Sequence, residues 1–174
     1  SMGIGHIDAN AKSKALVRQV SLTKPSDKTM TMNVGQKYQL TVKVAPKNAT
    51  NKEVSYKSSD TKVLDVSTSG KMTASKKGTA KVTVMAKDGS RKKAVLTVTV
   101  VQPVKQVVVT NPATDKLVLT EGSKFTIQAT VSPSNASNKK LTYSSSKENV
   151  ATVNSKGVIK AKTAGKAVIT VKAA

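Results

Sequence analysis

The sequence predicts an all-β chain made of two tandem copies of one small β-sandwich or barrel, the second lacking its final strand. Three observations carry that expectation. Apolar residues alternate with polar ones over short runs, as at Tyr38, Leu40, Val42 and Val44, which turns one face of an extended strand inward and the other to water. Clusters of glycine, proline, asparagine and serine cut these runs at short intervals, and no segment keeps the 3.6-residue spacing of an amphipathic helix over three turns. Finally, the stretch GKMTASKKGTAKVTVMA beginning at Gly70 returns as GVIKAKTAGKAVITVKA beginning at Gly157.

The offset between those stretches is 87 residues, and it aligns most of the remaining chain without a gap. Gly35 falls on Gly122, Pro46 on Pro133, Tyr56 on Tyr143, and Val17-Arg18-Gln19-Val20 on Val104-Lys105-Gln106-Val107. Roughly a third of the aligned positions are identical. So long a period does not suit a solenoid unit; it suits a small domain copied in tandem. The expected division is a tag or disordered leader over 1–16, a first copy over 17–102 and a second over 103–174. Ser1-Met2-Gly3 reads as an expression tag and is set aside. The seam at Val101-Gln102-Pro103 has almost no spacer, and the fixed φ of Pro103 stiffens it, so the copies are expected end to end rather than on a tether.

In the first copy a short strand follows Val17 and closes at the Lys24-Pro25-Ser26-Asp27 turn. Met30, Met32 and Val34 mark the next strand, and the run from Tyr38 to Val44 a third. Pro46-Lys47-Asn48-Ala49-Thr50-Asn51 is a loop, because proline and asparagine favour turn backbones. Val54 and Tyr56, Val63 to Val66, then Met72 and Ala74 give three brief strands. Two longer ones follow, through Ala80, Val82, Val84 and Ala86, and through Ala94, Leu96, Val98 and Val100, joined by Lys87-Asp88-Gly89-Ser90. The second copy repeats the pattern at Val107 and Val109, Leu117 and Leu119, Phe125 to Val131, Leu141 and Tyr143, Val150 and Val153, Ile159 and Ala161, and Ala167 to Ala173. The counterpart of the final strand would fall beyond Ala174. The exposed edge of residues 167–173 is therefore expected to pair with another molecule, by self-association for example, or to be poorly ordered.

Composition narrows the chemistry. The formal charge is +21, and 28 of the 30 basic residues are lysines, with Arg18 and Arg91 the two arginines. Such a balance attracts polyanions in general: wall polymers, acidic glycans, membrane surfaces or nucleic acid. Lysine is a hydrated point charge, whereas arginine supplies the planar fork suited to bases and bidentate anions, so the attraction should be diffuse and salt-dependent. Dispersed lysines also serve simply to keep β-sheet edges soluble and unpaired. There is no cysteine, which removes disulfides, thiolate nucleophiles and thiolate metal sites. No apolar run approaches the ~20 residues that span a bilayer as a helix.

The motif order points to a family. A valine-rich opening strand leads to Val-Gly or Glu-Gly before an aromatic, then Pro-x-Asn-Ala-(Thr/Ser)-Asn-Lys, at Pro46 and Pro133. Next come Val-Ser-Tyr-Lys-Ser-Ser-Asp at Val54 and Leu-Thr-Tyr-Ser-Ser-Ser at Leu141, then Val-Leu-Asp-Val at Val63 and Val-Ala-Thr-Val at Val150. Ser-Gly-Lys-Met-Thr-Ala or Lys-Gly-Val-Ile-Lys-Ala and a glycine-led strand complete the set. In combination these resemble the bacterial immunoglobulin-like domain, group 2, found in intimin- and invasin-type adhesins and many other surface proteins. The chain departs from the family in carrying Tyr56 and Tyr143 where tryptophan is usual, at the place where immunoglobulin folds seat a core aromatic. The resemblance implies two tandem immunoglobulin-like sandwiches on an extracellular or cell-surface protein, a stalk or adhesive module beside neighbouring domains of a larger chain. Architecture of this kind implies no activity by itself.

Candidate sites are few. The lone histidine, His6, lies in the leader, and no acidic pair sits at a focused position; Asp60, Asp65 and Asp88 lie in turns or on alternating strands, so no catalytic residue is assigned. Nine dispersed acids form no calcium-binding run, and neither a metal nor a cofactor is expected. The aromatics Tyr38, Phe125, Tyr56 and Tyr143 all occupy inward slots, leaving no stacking platform for sugars or bases. What remains are basic clusters at turns or strand starts: Lys76-Lys77, Arg91-Lys92-Lys93 and Lys139-Lys140. These are the candidate polyanion contacts. The expected function is a non-enzymatic spacer module that associates with anionic wall polymers; the alternatives are an adhesin binding a host protein or acidic glycan, and non-specific nucleic-acid binding, which scarce arginine and buried rings disfavour.

Overall fold

A computed structural model describes residues 1–5 and 13–174, so His6 and the middle of the leader lie outside the described residues. The described chain is strands and turns, divided into two compact units, Ser1–Val100 and Val101–Ala174.

The first unit contains β1 (Gln19–Lys24), β2 (Thr29–Asn33), β3 (Lys37–Gln39), β4 (Thr41–Ala45), β5 (Val54–Ser58), β6 (Leu64–Val66), β7 (Lys71–Ala74), β8 (Gly78–Ala86) and β9 (Lys93–Val101). One layer is the four-stranded ladder β2-β9-β8-β5; facing it are the ladders β1-β4 and β3-β7-β6. The apolar alternation of β8 and β9 sends Ala80, Val82, Leu96, Val98 and Val100 inward against Met32, Leu40, Leu64, Met72 and Ala74 from the other strands. A second cluster, Val17, Val20, Ala49, Val84 and Ala86, fills the end where the chain enters. Leu22 and Tyr56 pack against both.

One expected strand is really two. The alternation from Tyr38 to Val44 is unbroken, yet the chain breaks at Leu40 because it changes ladders there: β3 pairs with β7, whereas β4 pairs with β1. Leu40, 3% exposed, drives its side chain into the core while its N–H donates to the Gly70 carbonyl oxygen at 2.9 Å. The second unit makes the same crossing at Ile127, whose N–H donates to the Gly157 carbonyl oxygen at 2.8 Å.

That unit contains β10 (Gln106–Asn111), β11 (Lys124–Thr126), β12 (Gln128–Ser132), β13 (Leu141–Ser145), β14 (Ala151–Val153), β15 (Val158–Ala161) and β16 (Ile169–Ala173), in ladders β10-β12, β11-β15-β14 and β13-β16. The strand expected at Leu117 and Leu119 does not form. Its counterpart β2 is held by β9, and among the described residues no strand stands in the β9 position of the second unit. Without that partner residues 116–120 have no ladder to join, and Val118 is 95% exposed. β16 itself is formed and paired along one edge, from Leu141↔Ala173 to Ser145↔Ile169.

Each unit is closed at its start by the same pair of hydrogen bonds. Thr50 N–H donates to the Ala15 carbonyl oxygen (2.9 Å) and Ala15 N–H donates to Thr50 Oγ1 (2.8 Å). In the second unit Ser137 N–H donates to the Gln102 carbonyl oxygen (2.8 Å), and Gln102 N–H to Ser137 Oγ (2.8 Å).

Candidate functional site

All seven candidate cations are exposed, and the turns that carry them are built in different ways. Lys76 and Lys77 sit in the bend between β7 and β8, where the N–H groups of Ser75 and Lys76 donate to the Val63 carbonyl oxygen. Arg91 and Lys92 close the hairpin between β8 and β9, and Lys93 opens β9. Arg91 is held at φ 61°, the one non-glycine residue in the left-handed region among the described residues, so the hairpin dictates its backbone. Lys139 and Lys140 precede β13; Lys140 N–H donates to Asn138 Oδ1 (3.0 Å), and its carbonyl oxygen accepts from Ala174 N–H (2.9 Å).

The structure does not gather these clusters into one site. Lys76-Lys77 and Arg91-Lys92-Lys93 stand at opposite ends of β8, whose nine residues span roughly 26 Å at ~3.3 Å each. What the fold does bring together is a different set. Lys14, Arg18, Lys87 and Lys92 line two shallow depressions where the chain enters the first unit, with Asp88 and Ser90 in their walls. Apart from Lys92 these cations were not singled out by sequence, because they are scattered among the leader, the approach to β1 and a hairpin. Only folding makes them neighbours.

Asp88 organises that end. Its Oδ2 accepts from Val17 N–H at 2.6 Å, and Oδ1 accepts from Ser90 N–H at 2.9 Å. Hydrogen bonding from the Ser90 side chain, then from the Val17 and Ser90 backbone, holds its carboxyl below the usual aspartate range, because each donor favours the charged form. The acid is thus committed to the backbone at the chain's point of entry, not poised for proton transfer.

The rings are packing elements. Tyr56 on β5 lies against Gly70, where a Cβ would come within 2.7 Å of the ring, and Gly70 itself sits at φ +87°. Tyr143 covers Gly157 in the same manner, with the corresponding approach 3.0 Å. Glycine is required at both places twice over: for the left-handed backbone and for the ring's seat. Burial pushes the Tyr56 hydroxyl's pKa above its ordinary value. Among the described residues no three His, Cys, Asp or Glu side chains converge to hold a metal, every buried side-chain polar atom has a partner, and no helix is long and apolar enough to cross a membrane.

A strand run split between two ladders, an aromatic seated on a glycine and the repeated glycine-led strand describe a family, and the family model for the bacterial Ig-like domain (group 2) matches residues 16–100 and again 103–173. The chain belongs to that family. Relatives of these bacterial Ig-like domains sit in varied proteins. An uncharacterized protein of Clostridium acetobutylicum is 36% identical over 162 residues, 93% of this chain and 16% of that one. An Ig-like virion protein of Serratia phage KSP90 is 36% identical over 152 residues, 86% of this chain and 58% of its own. The kappa-carrageenase of Pseudoalteromonas carrageenovora is 58% identical over 57 residues, 33% of this chain and 14% of the enzyme. The chain therefore spans a minor part of the Clostridium protein and of the enzyme, and somewhat over half of the phage protein. Among solved structures, the C-terminal fragment of intimin, in complex with the intimin-binding domain of its translocated receptor, aligns with 91% of this chain and 64% of its own at 16% identity, with a TM-score of 0.46.

Proposed function

We propose that the chain is a non-catalytic pair of Ig-like modules from a bacterial surface or secreted protein, which carries neighbouring domains and associates with anionic wall polymer through its lysine-dotted exterior. One observation supports this most: the inward alternation uses the apolar side chains and rings for packing, while all seven candidate cations stand exposed at separate turns. Scattered lysines attract a flexible polyanion at many points without fixing its sequence or geometry. The relatives support the reading as well, since similar sequence occurs within an Ig-like virion protein and, over 57 residues, within a kappa-carrageenase whose catalysis is not carried over to this chain.

Retention of the full chain on purified anionic wall polymer, heparin and duplex DNA, measured across a salt series, tests the proposal. Retention should be similar on all three and fall steeply as salt rises, because each lysine–anion contact releases counterions. Replacing Lys76-Lys77, Arg91-Lys92-Lys93 or Lys139-Lys140 by glutamines should flatten the salt dependence a little in each case, with no one cluster dominating. Saturable, salt-resistant binding to a single host protein or glycan would replace this reading with the adhesin one. Absence of retention at physiological salt would leave only the spacer role.

A further inference from the structure

We propose that the larger depression at the entry end of the first unit binds a phosphorylated sugar, with the ring on Leu16 and the phosphoryl group between Arg18, Lys14 and Lys92. This goes beyond the polyanion reading and stands independently of it, since one small anion in one cavity requires no polymer. The cavity measures about 660 Å³, within the range of small-molecule sites. Its three cations come from the leader, the approach to β1 and the hairpin between β8 and β9, and no carboxylate lines it among the described residues. Asp88 lines the smaller depression beside it, with both oxygens already accepting from backbone N–H groups. Three cations beside one acid leave the cavity net positive.

The wall narrows the ligand further. Leu16 is 52% exposed, although the next residue, Val17, is sealed in the core at 2%. With Pro46 it gives the cavity an open apolar surface among cations, which suits the C–H face of a sugar and is wasted on a bare inorganic anion. Arg18 is one of two arginines in the chain, and its planar fork meets two phosphoryl oxygens at once, as no lysine can. The Asn48 carboxamide, also in the wall, both donates to and accepts from hydroxyl groups of the kind a sugar carries. No aromatic ring lines the cavity among the described residues, so a nucleobase would find nothing to stack on. The second copy does not repeat the set. The offset of 87 puts Val101 in the place of Lys14, Pro103 in that of Leu16 and Lys105 in that of Arg18, so the arginine fork and the open leucine belong to the first copy alone.

The test titrates the full 174-residue chain with glucose 1-phosphate at physiological salt and follows backbone amide resonances by NMR. The amides of residues 14–18, 48 and 90–92 should shift together and saturate at one ligand per chain, while glucose alone moves none of them. Inorganic phosphate should bind at least about fivefold more weakly, because Leu16 then buries nothing. Arg18→Gln should weaken binding at least about tenfold, with Arg18→Lys in between, since the lysine keeps the charge and loses the fork. Lys92→Gln should weaken it as well, and Lys76→Gln, at the far end of β8, should leave it unchanged. The spectrum of each variant reports its fold in the same experiment. A methyl phosphodiester of the same sugar separates two sources of the ligand: binding as tight as glucose 1-phosphate assigns the site to units within a polymer, and weaker binding to free or terminal sugar phosphates. The proposal is overturned by any of four results: no saturable shift, shifts spread evenly over the lysine-bearing turns of both units, wild-type affinity in Arg18→Gln, or inorganic phosphate binding as tightly as the sugar phosphate.

Discussion

Val82 and Ile169 hold the same place in two copies of one sequence, yet Val82 is fully buried and Ile169 is half open to water. The same contrast holds for Ala80 against Ala167, Leu64 against Ala151 and Met32 against Leu119. It does not hold at Ile127 and Ile159, 7% and 4% exposed, which are as secluded as their counterparts Leu40 and Met72. The difference divides the module into two halves. Around the crossing at Ile127, where β11 pairs with β15 and Tyr143 covers Gly157, Ile127 and Ile159 are closed off by local contacts. Beyond it, closure depends on a ninth strand that only the first unit has among the described residues. Inward alternation is thus a licence for burial, and the neighbouring strand decides whether it is used.

Six substitutions would break or sharpen this comparison. Leu96→Ala should have the largest effect, destabilising the first unit by about 2–5 kcal/mol through the lost transfer energy and the cavity left behind. The second unit should be untouched, and residue-resolved hydrogen exchange under urea would separate the two; a loss under about 1 kcal/mol would mean that β9 is not what closes the core. Gly70→Ala should cost about 1–3 kcal/mol, because it forces alanine into a left-handed backbone and pushes a methyl into Tyr56. Gly157→Ala should cost less, as Tyr143 stands farther off in a looser core; the reverse order, read from thermal denaturation, would contradict the two-half picture. Thr50→Ala and Ser137→Ala should each cost about 0.5–1 kcal/mol and do so equally, since the same hydroxyl-to-backbone bond is lost from both units.

The smallest effect at neutral pH belongs to Asp88→Asn, and its signature is pH dependence. A carboxylate whose pKa is lowered on folding stabilises the fold above its unfolded pKa, about 3.9 for aspartate, and that stabilisation is lost as pH falls through the lower folded value. Wild type should therefore exceed Asp88→Asn in stability at pH 6, and the gap should close in acid. A gap that stays constant with pH would show that shape rather than charge holds Val17.

Much of this architecture can be read in the residues, and the exceptions have physical causes. β8 follows from Ala80, Val82, Val84 and Ala86, because strict alternation with small and branched side chains admits one extended reading. The break at Leu40 is invisible in the same signal: Tyr38, Leu40, Val42 and Val44 keep period two straight through it, and the change of ladder comes where Gly70, thirty residues away in the chain, takes the Leu40 N–H on its carbonyl. Leu117 and Leu119 carry a strand pattern that remains unrealised, since pairing is a property of two segments and alternation a property of one. Of the basic residues, the adjacent pairs and triplet were legible as clusters, but the convergence of Lys14, Arg18 and Lys87 around Asp88 belongs to tertiary structure alone.

The paired bonds at Ala15–Thr50 and Gln102–Ser137 have a consequence for how such chains multiply. On the incoming side they use only main-chain atoms, so alanine and glutamine serve equally well at that position. A seam that ignores the preceding side chain tolerates whatever a duplication happens to splice in front of it. Copies can accumulate in a gene without a compensating change at each new joint.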